Sequence, residues 1–366
     1  MQRFKNILVV VDHKSERGVV VERAVDLALR NGACISLAST LDRLPENGQQ
    51  QFTVETPREP LRSNYNIIEE WPPGVDIPHA PHQNEIRQVP AGEQPAGADR
   101  PAGSRSVLIR EHVTGEEGQG LEQWADYARR RGVQVNTKIL YGTPFLEIIR
   151  LVLRRDHDLV MTTAQGRSNL RDRVFGSTTM HLMRKCPCPV WVVKTSQPDW
   201  HKRILAAVDP RPDDKERHAL NVKIMDLVTS LARMEQRELV VLHAWSFPME
   251  HSLKRGRVGP SDQVGRWISG ARHQHRLRLV ELLKPYDLEM PKHEVYLLKG
   301  EPDRLVPEVA AAKEVELIVM GTVSRSGVSG LLIGKTAEKI LGQVDCAVLA
   351  VKPDGFMTPV RLDEDA

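Results

Sequence analysis

The sequence predicts an α/β fold in two tandem copies, each a five-stranded parallel sheet with helices on both faces. Three observations carry that expectation. Residues 166–178, GRSNLRDRVFGST, align without a gap on residues 324–336, SRSGVSGLLIGKT, 158 positions later. The same offset carries YGTP at 141–144 onto KGEP at 299–302, and CPVWVVK at 188–194 onto CAVLAVK at 346–352. In both copies short apolar runs alternate with amphipathic stretches of helical period, the pattern of parallel strands buried on both faces.

The elements follow in order. In the first copy the spacing predicts strands at 7–11, 34–39, 133–140, 159–162 and 190–193, with helices at 16–30, 121–131, 144–154 and 178–185. In the second, the run at 203–208 is a strand, and Leu220, Ile224, Leu227, Val228 and Leu231 mark a helix over 215–234. Strands at 238–244, 294–298, 317–320 and 346–351 alternate with a basic helix at 262–283 and a helix opened by Pro302. NILVVVD at 6–12 and RILAAVD at 203–209 both end an apolar run on Asp, yet here the offset is 197, so the first copy carries some 39 extra residues. Composition puts them at about 41–120, where EEWPPGVDIPHAPHQ and VPAGEQPAGADRPAG lack sustained periodicity and core-forming residues. His79 and His82 in that insertion read as solvated side chains. The resulting division is a first domain at 1–197 containing the insertion, a second at 198–353 and an acidic tail at 354–366.

Composition excludes several classes. A net charge of +3, with Lys and Arg scattered among Asp and Glu, leaves no basic footprint for nucleic acid. The N-terminal stretch has five consecutive apolar residues, too few for a signal-peptide core or a membrane span, so the expected address is the cytoplasm. Cys34, Cys186, Cys188 and Cys346 have no partner pair at zinc spacing and read as reduced, mostly buried thiols.

Candidate chemistry gathers at strand carboxyl ends, where such sheets bind ligands at the point of reversed winding. Asp12 and Asp209 follow the first strands, a loop follows each fourth strand, and Gly176 or Gly334 opens the last helix with Ser177 and Thr178, or Lys335 and Thr336, beside it. Gly334-Lys335-Thr336 imitates the end of a phosphate-binding P-loop, but position 329, where that motif needs glycine, holds Ser. Backbone N–H groups at Gly176 and Gly334 still suit an anion, with Lys335 as an electrostatic aid. Asp12 and Asp209 taken alone also fit turn-starting residues. His13 and His181 have Pro210 and Lys339 at the matching positions, so tuned acid–base work is not indicated.

The two loops resemble the nucleotide-binding signature of the universal stress protein family: Gly, two residues, Gly, nine residues, then Gly-Ser/Thr. The first copy keeps Gly166, Gly176 and Ser177, with Thr163 at the first glycine; the second keeps Gly321 and Gly334, with Ser324 at the second glycine and Lys335 at the hydroxyl position. With MRKCPCPVWVVK at 183–194 and the C-terminal run from Cys346, the chain resembles the tandem, E-type branch. That resemblance implies strand order 3-2-1-4-5 in each copy and Asp12 and Asp209 near the adenine and ribose of ATP. It also implies loops around the phosphates, with Mg²⁺ accompanying the nucleotide. It further implies that the last strands, 190–193 and 348–351, pair the two copies as an intramolecular pseudo-dimer, with homodimerisation as an extension. The implied role is a non-catalytic, nucleotide-binding regulator of stress responses acting on protein partners. An interaction scaffold without nucleotide and a slow ATPase are the alternatives.

Overall fold

The computed structural model describes residues 4–11, 17–41, 103–164, 175–194, 203–247, 261–286, 288, 293–322 and 334–362. The chain divides into two units, Met1–Arg43 with Val113–Ala366, and Leu44–His112. In the smaller unit the described residues are 103–112, the first part of a helix.

In chain order the elements are β1 Asn6–Val10, α1 Arg17–Asn31, β2 Cys34–Leu41, α2 Gly103–Arg130, β3 Val135–Tyr141, α3 Pro144–Arg155, β4 Leu159–Thr163, α4 Ser177–Lys185 and β5 Val190–Val193. The second repeat continues with β6 Arg203–Ala207, α5 Lys215–Glu235, β7 Glu238–Trp245, α6 Ser261–Leu283, β8 Glu294–Lys299, α7 Pro302–Ala312, β9 Val315–Gly321, α8 Lys335–Leu341 and β10 Ala347–Val351. Each repeat has the strand order 3-2-1-4-5. The two sets join into one ten-stranded sheet, β3-β2-β1-β4-β5-β10-β9-β6-β7-β8. Neighbours within a repeat are parallel; β5 and β10 run antiparallel, with Trp191 opposite Leu349 and Val192 opposite Val348.

Period-two alternation builds the two cores. In β1, Ile7 and Val9 face the layer that holds Val20, Ala24 and Leu27 of α1 and Leu121 and Ala125 of α2, while Leu8 and Val10 face Ile148 and Val152 of α3 and Leu182 of α4. The second repeat does the same with Ile224, Val228 and Leu231 of α5 on one face and Ile340 and Leu341 of α8 on the other. The glycines shared by the aligned YGTP and KGEP segments have a local cause. Gly142 has φ +135° and Gly300 φ +152°, backbone that L side chains rarely adopt, and Pro144 and Pro302 then open α3 and α7.

The seam between repeats is apolar at its centre and ionic at one flank. Trp191 is buried, and the Arg23 guanidinium of α1 lies 5.1 Å from its ring centroid. Arg23 also reaches across to Glu235 of α5 (2.7 Å), whose carboxylate takes Arg237 as well (2.9 Å). Two lysines that match by repeat are exchanged: Lys194 Nζ donates to the Val344 carbonyl, and Lys352 Nζ donates to the Met183 carbonyl and to Thr322 Oγ1 at 2.6 Å. Beyond β10 the tail is docked, with Val360 buried in the α3 and α4 core and the Arg361 carbonyl accepting from Arg150 Nε at 3.3 Å.

Two sequence boundaries move. Leu41 belongs to β2, and residues 103–120, assigned to the insertion, are helical, since α2 begins at Gly103. Glycines at 115, 118 and 120 read as breakers. A solvent-facing glycine is tolerated when the remaining helix is anchored, here by Leu121, Ala125 and Ala128, and Gly118 lies close to Ile139. The insertion residues 42–102 lie outside the described residues, as do His79 and His82.

Candidate functional site

The second repeat assembles a cleft of about 810 Å³ at its strand carboxyl ends. It lies where β6 has β9 on one side and β7 on the other, the reversal point of this sheet. Asp209, Gly321, Gly334, Lys335 and Thr336 all line it. Ser324 lies outside the described residues, together with Arg325 and Ser326.

Asp209 is held in place by its backbone. Asn221, buried in the second turn of α5, accepts from Asp209 N (2.9 Å) and donates from Nδ2 to the Asp209 carbonyl (2.9 Å) and to the Arg217 carbonyl (2.7 Å). A buried amide that fits its partners this fully fixes the loop, because leaving it unmatched costs its desolvation. The N-cap of α5 is Asp214, which accepts from Arg217 N at 3.1 Å; the Asp209 carboxylate is therefore left for the cleft, where Arg211 Nε approaches to 3.3 Å and Arg217 Nη1 to 3.9 Å. Arg278 of α6 completes a cationic rim, tethered to Asp213 at 3.3 Å.

Gly321 ends β9 against α5. A Cβ there would come within 2.8 Å of Leu220 Cδ2, so Leu220, another lining residue, would have to shift. Gly334 is the N-cap of α8, with φ −57°, and Gly176 is the N-cap of α4, with φ −58°; both angles are open to any residue, so neither glycine is required by backbone conformation. The two caps repeat the same bonds, Glu338 N to the Gly334 carbonyl (3.0 Å) and Met180 N to the Gly176 carbonyl (2.9 Å). Lys335 and Ser177, matched by repeat, are both exposed. Thr178 is half-buried in the first turn of α4. Asp12, His13 and Gly166 lie outside the described residues, as do Arg167 and Ser168.

Sequence reasoning missed the β7–α6 wall of the cleft. His243, in the apolar run of β7, is fully buried, and Nδ1 lies 3.1 Å from the Val208 carbonyl while Nε2 lies 2.9 Å from His275 Nδ1. The His275 and Trp245 rings are 5.4 Å apart. Burial pushes His243 down to about 4 and also lowers His275, helped by Arg278. A histidine inside a strand of otherwise apolar residues, and an asparagine inside a helix core stripe, were the available signals. In the first repeat His181 stacks on Phe145 with centroids 4.2 Å apart, and burial lowers its pKa.

Cysteine chemistry is muted. Cys186 and Cys188 are free and buried, their sulfurs 3.5 Å apart; the hydrogen bond from Cys186 and burial raise Cys188 well above the usual thiol range, and burial pushes Cys346 to about 12. Among the described residues no three His, Cys, Asp or Glu side chains are placed to hold a metal ion, and no helix is long and apolar enough to cross a membrane.

The sequence profile of the universal stress protein family matches residues 3–194 and 201–352. Universal stress protein E of Escherichia coli strain K12 is 29% identical over 262 residues, which is 71% of this chain and 81% of that protein. The universal stress protein E homolog of Haemophilus influenzae is 26% identical over 250 residues, 67% of this chain and 78% of that one. Among solved structures, the functionally unknown protein PA1789 of Pseudomonas aeruginosa PAO1 has the same fold (TM-score 0.63, 21% identity, 96% of this chain and 94% of that chain). So does a universal stress protein of Archaeoglobus fulgidus (TM-score 0.58, 13% identity, 95% and 98%).

Proposed function

Since the chain belongs to the universal stress protein family, we propose that its second repeat binds ATP in the β6–β9 cleft and that the protein acts as a non-catalytic regulator in a stress response. One observation carries this reading: Asp209, Gly321, Gly334, Lys335 and Thr336, scattered over 128 positions of sequence, line a single cleft rimmed by Arg211, Arg217 and Arg278. The volume lies within the usual range for small-molecule and cofactor sites. Gly321 and Gly334 admit phosphates to the backbone, Lys335 offsets their charge, and Asp209 accepts hydrogen bonds from ribose hydroxyls. Mg²⁺ would enter with the triphosphate, held by phosphate oxygens.

Phosphoryl transfer needs an oriented water as well as metal-held phosphates, a requirement separate from binding that a phosphate-release assay reads directly. Ligand occupancy would instead be read as a surface by protein partners in the cytoplasm. Any homodimer would use a surface other than β5 and β10, which already pair within the chain. The test is calorimetric titration of the full chain with ATP, run beside a phosphate-release assay. Saturable binding without turnover is the expected result. Turnover would make the protein an ATPase, and no binding would leave a scaffold of the same fold.

A further inference from the structure

The hydrogen bonds around His243 fix where the protons sit on the β7–α6 wall. The Val208 carbonyl only accepts, so His243 Nδ1 carries a proton and donates to it. Buried and neutral, His243 then has a bare lone pair at Nε2. That atom faces His275 Nδ1 at 2.9 Å, so the proton between them belongs to His275. A neutral His275 with its proton on Nδ1 has Nε2 left as an acceptor. His275 lines the cleft, and among the described residues Nε2 has no protein partner.

The position of this acceptor selects what it meets. Gly321 and Trp245 end β9 and β7, with β6 between them, so the two walls stand roughly 10 Å apart. Phosphates belong at the Gly321, Gly334 and Lys335 wall. A lone pair at His275 repels phosphate oxygens, whereas the adjoining Trp245 ring suits a flat heterocycle. Resting on the reading that a nucleotide occupies this cleft, we propose that His275 is the base-reading residue, accepting a hydrogen bond from an exocyclic amino group, and that protonation of His275 turns it into a donor that favours a carbonyl-bearing base.

The groups around His275 set when that inversion occurs. Asp209 at the end of β6 favours the imidazolium; Arg211 in the same loop and Arg278 on α6 oppose it, and His243 on β7 stays neutral. Burial and the arginines prevail, so the acceptor form holds at neutral pH and the donor form appears on acidification.

The test is titration of the full chain with ATP and with inosine triphosphate, whose base has a carbonyl where adenine has an amino group, at pH 7.5 and at pH 5. ATP is expected to bind roughly tenfold tighter at pH 7.5, with the ratio falling to one or below at pH 5. His275→Phe, which keeps a ring against Trp245 but removes both nitrogens, is expected to give a ratio near one at both pH values. Its near-ultraviolet dichroism and melting temperature report whether it is folded, and the wild-type pH arm stands without it. Equal binding of both nucleotides by wild type at pH 7.5, a wild-type ratio unchanged at pH 5, or a preference that survives in the folded variant would overturn the role of His275 alone. Failure of wild type to bind either nucleotide would overturn the nucleotide reading and this proposal with it.

Discussion

At the end of β9 the second repeat has Gly321, and at the matching end of β4 the first has Thr163. Behind those positions the repeats are nearly interchangeable. Val20, Val21, Ala24, Leu27 and Ala28 of α1 correspond to Ile224, Met225, Val228, Leu231 and Ala232 of α5, all buried against the same face of the sheet. Around the candidate site the divergence lies at strand ends. Gly321 lets Leu220 approach, while Thr163 is itself buried and its carbonyl accepts from Thr179 Oγ1 at 3.4 Å. On the second strand, Ser39 occupies the place that His243 takes in β7. Duplicated cores tolerate little change because packing is close; ligand walls rest on a few residues that vary without cost to the fold.

The two repeats share one sheet with differently equipped strand ends, and the β5–β10 seam is what joins them. Trp191→Ala removes the largest buried side chain of β5 and the surface under Arg23, a change expected to cost about 3–5 kcal/mol. Urea unfolding of the variant should show one transition at lower denaturant. Two transitions, one of them unshifted, would show that the repeats are independent and that β5–β10 pairing does not couple them.

A pH-dependent asymmetry comes next. Lys352 is buried, and burial pulls it down to about 8 from the ordinary 10.5. Between those values the unfolded chain binds more protons than the folded one, so the stability contributed by this group rises with pH across that window. Below it, both states are charged and the desolvation cost is present in full. The gain is of order 3 kcal/mol at most. Measured against Lys352→Met, wild type should improve steadily from pH 7.5 to 10; a difference that is flat with pH would mean that Lys352 does not lose its proton there.

Much of this was legible in the sequence, and for a physical reason. Alternation of apolar runs with helical stripes fixes which faces are buried, so the strands, their parallel sense and the repeat could be read directly. Asp209, Gly321, Gly334 and Lys335 were nameable because the repeat showed them at strand ends. The boundary of α2 was not, since Gly115, Gly118 and Gly120 look like breakers until Leu121 and Ala125 are seen anchored in a core. Nor was the His243–His275 wall. Those residues are 32 positions apart, and only β7–α6 packing makes them a pair.

Gly321→Thr converts the second repeat towards the first and sharpens the comparison directly. Because the new Cβ would press on Leu220, the variant should lose about 1–3 kcal/mol of stability and, by narrowing the cleft, at least tenfold in ATP affinity. Unchanged affinity in a folded variant would mean that the Thr163 difference does not govern binding.

The smallest effect expected is at Lys335, where the first repeat has Ser177. Both side chains are exposed at the start of their helices, and among the described residues Lys335 has no ion-pair partner, so it is available to a phosphate but remains screened by solvent. An exposed charge of this kind is worth about 1 kcal/mol or less, against more for a desolvated lysine in an enclosing P-loop. Lys335→Ser should therefore weaken ATP binding about fivefold at low ionic strength, and the gap should close as salt is raised, because screening removes what the lysine adds and leaves the backbone contacts intact. Titrations at two salt concentrations check this. Loss of all binding at both would make Lys335 the principal phosphate ligand and the second repeat a P-loop-like site, which the Ser at position 329 argues against.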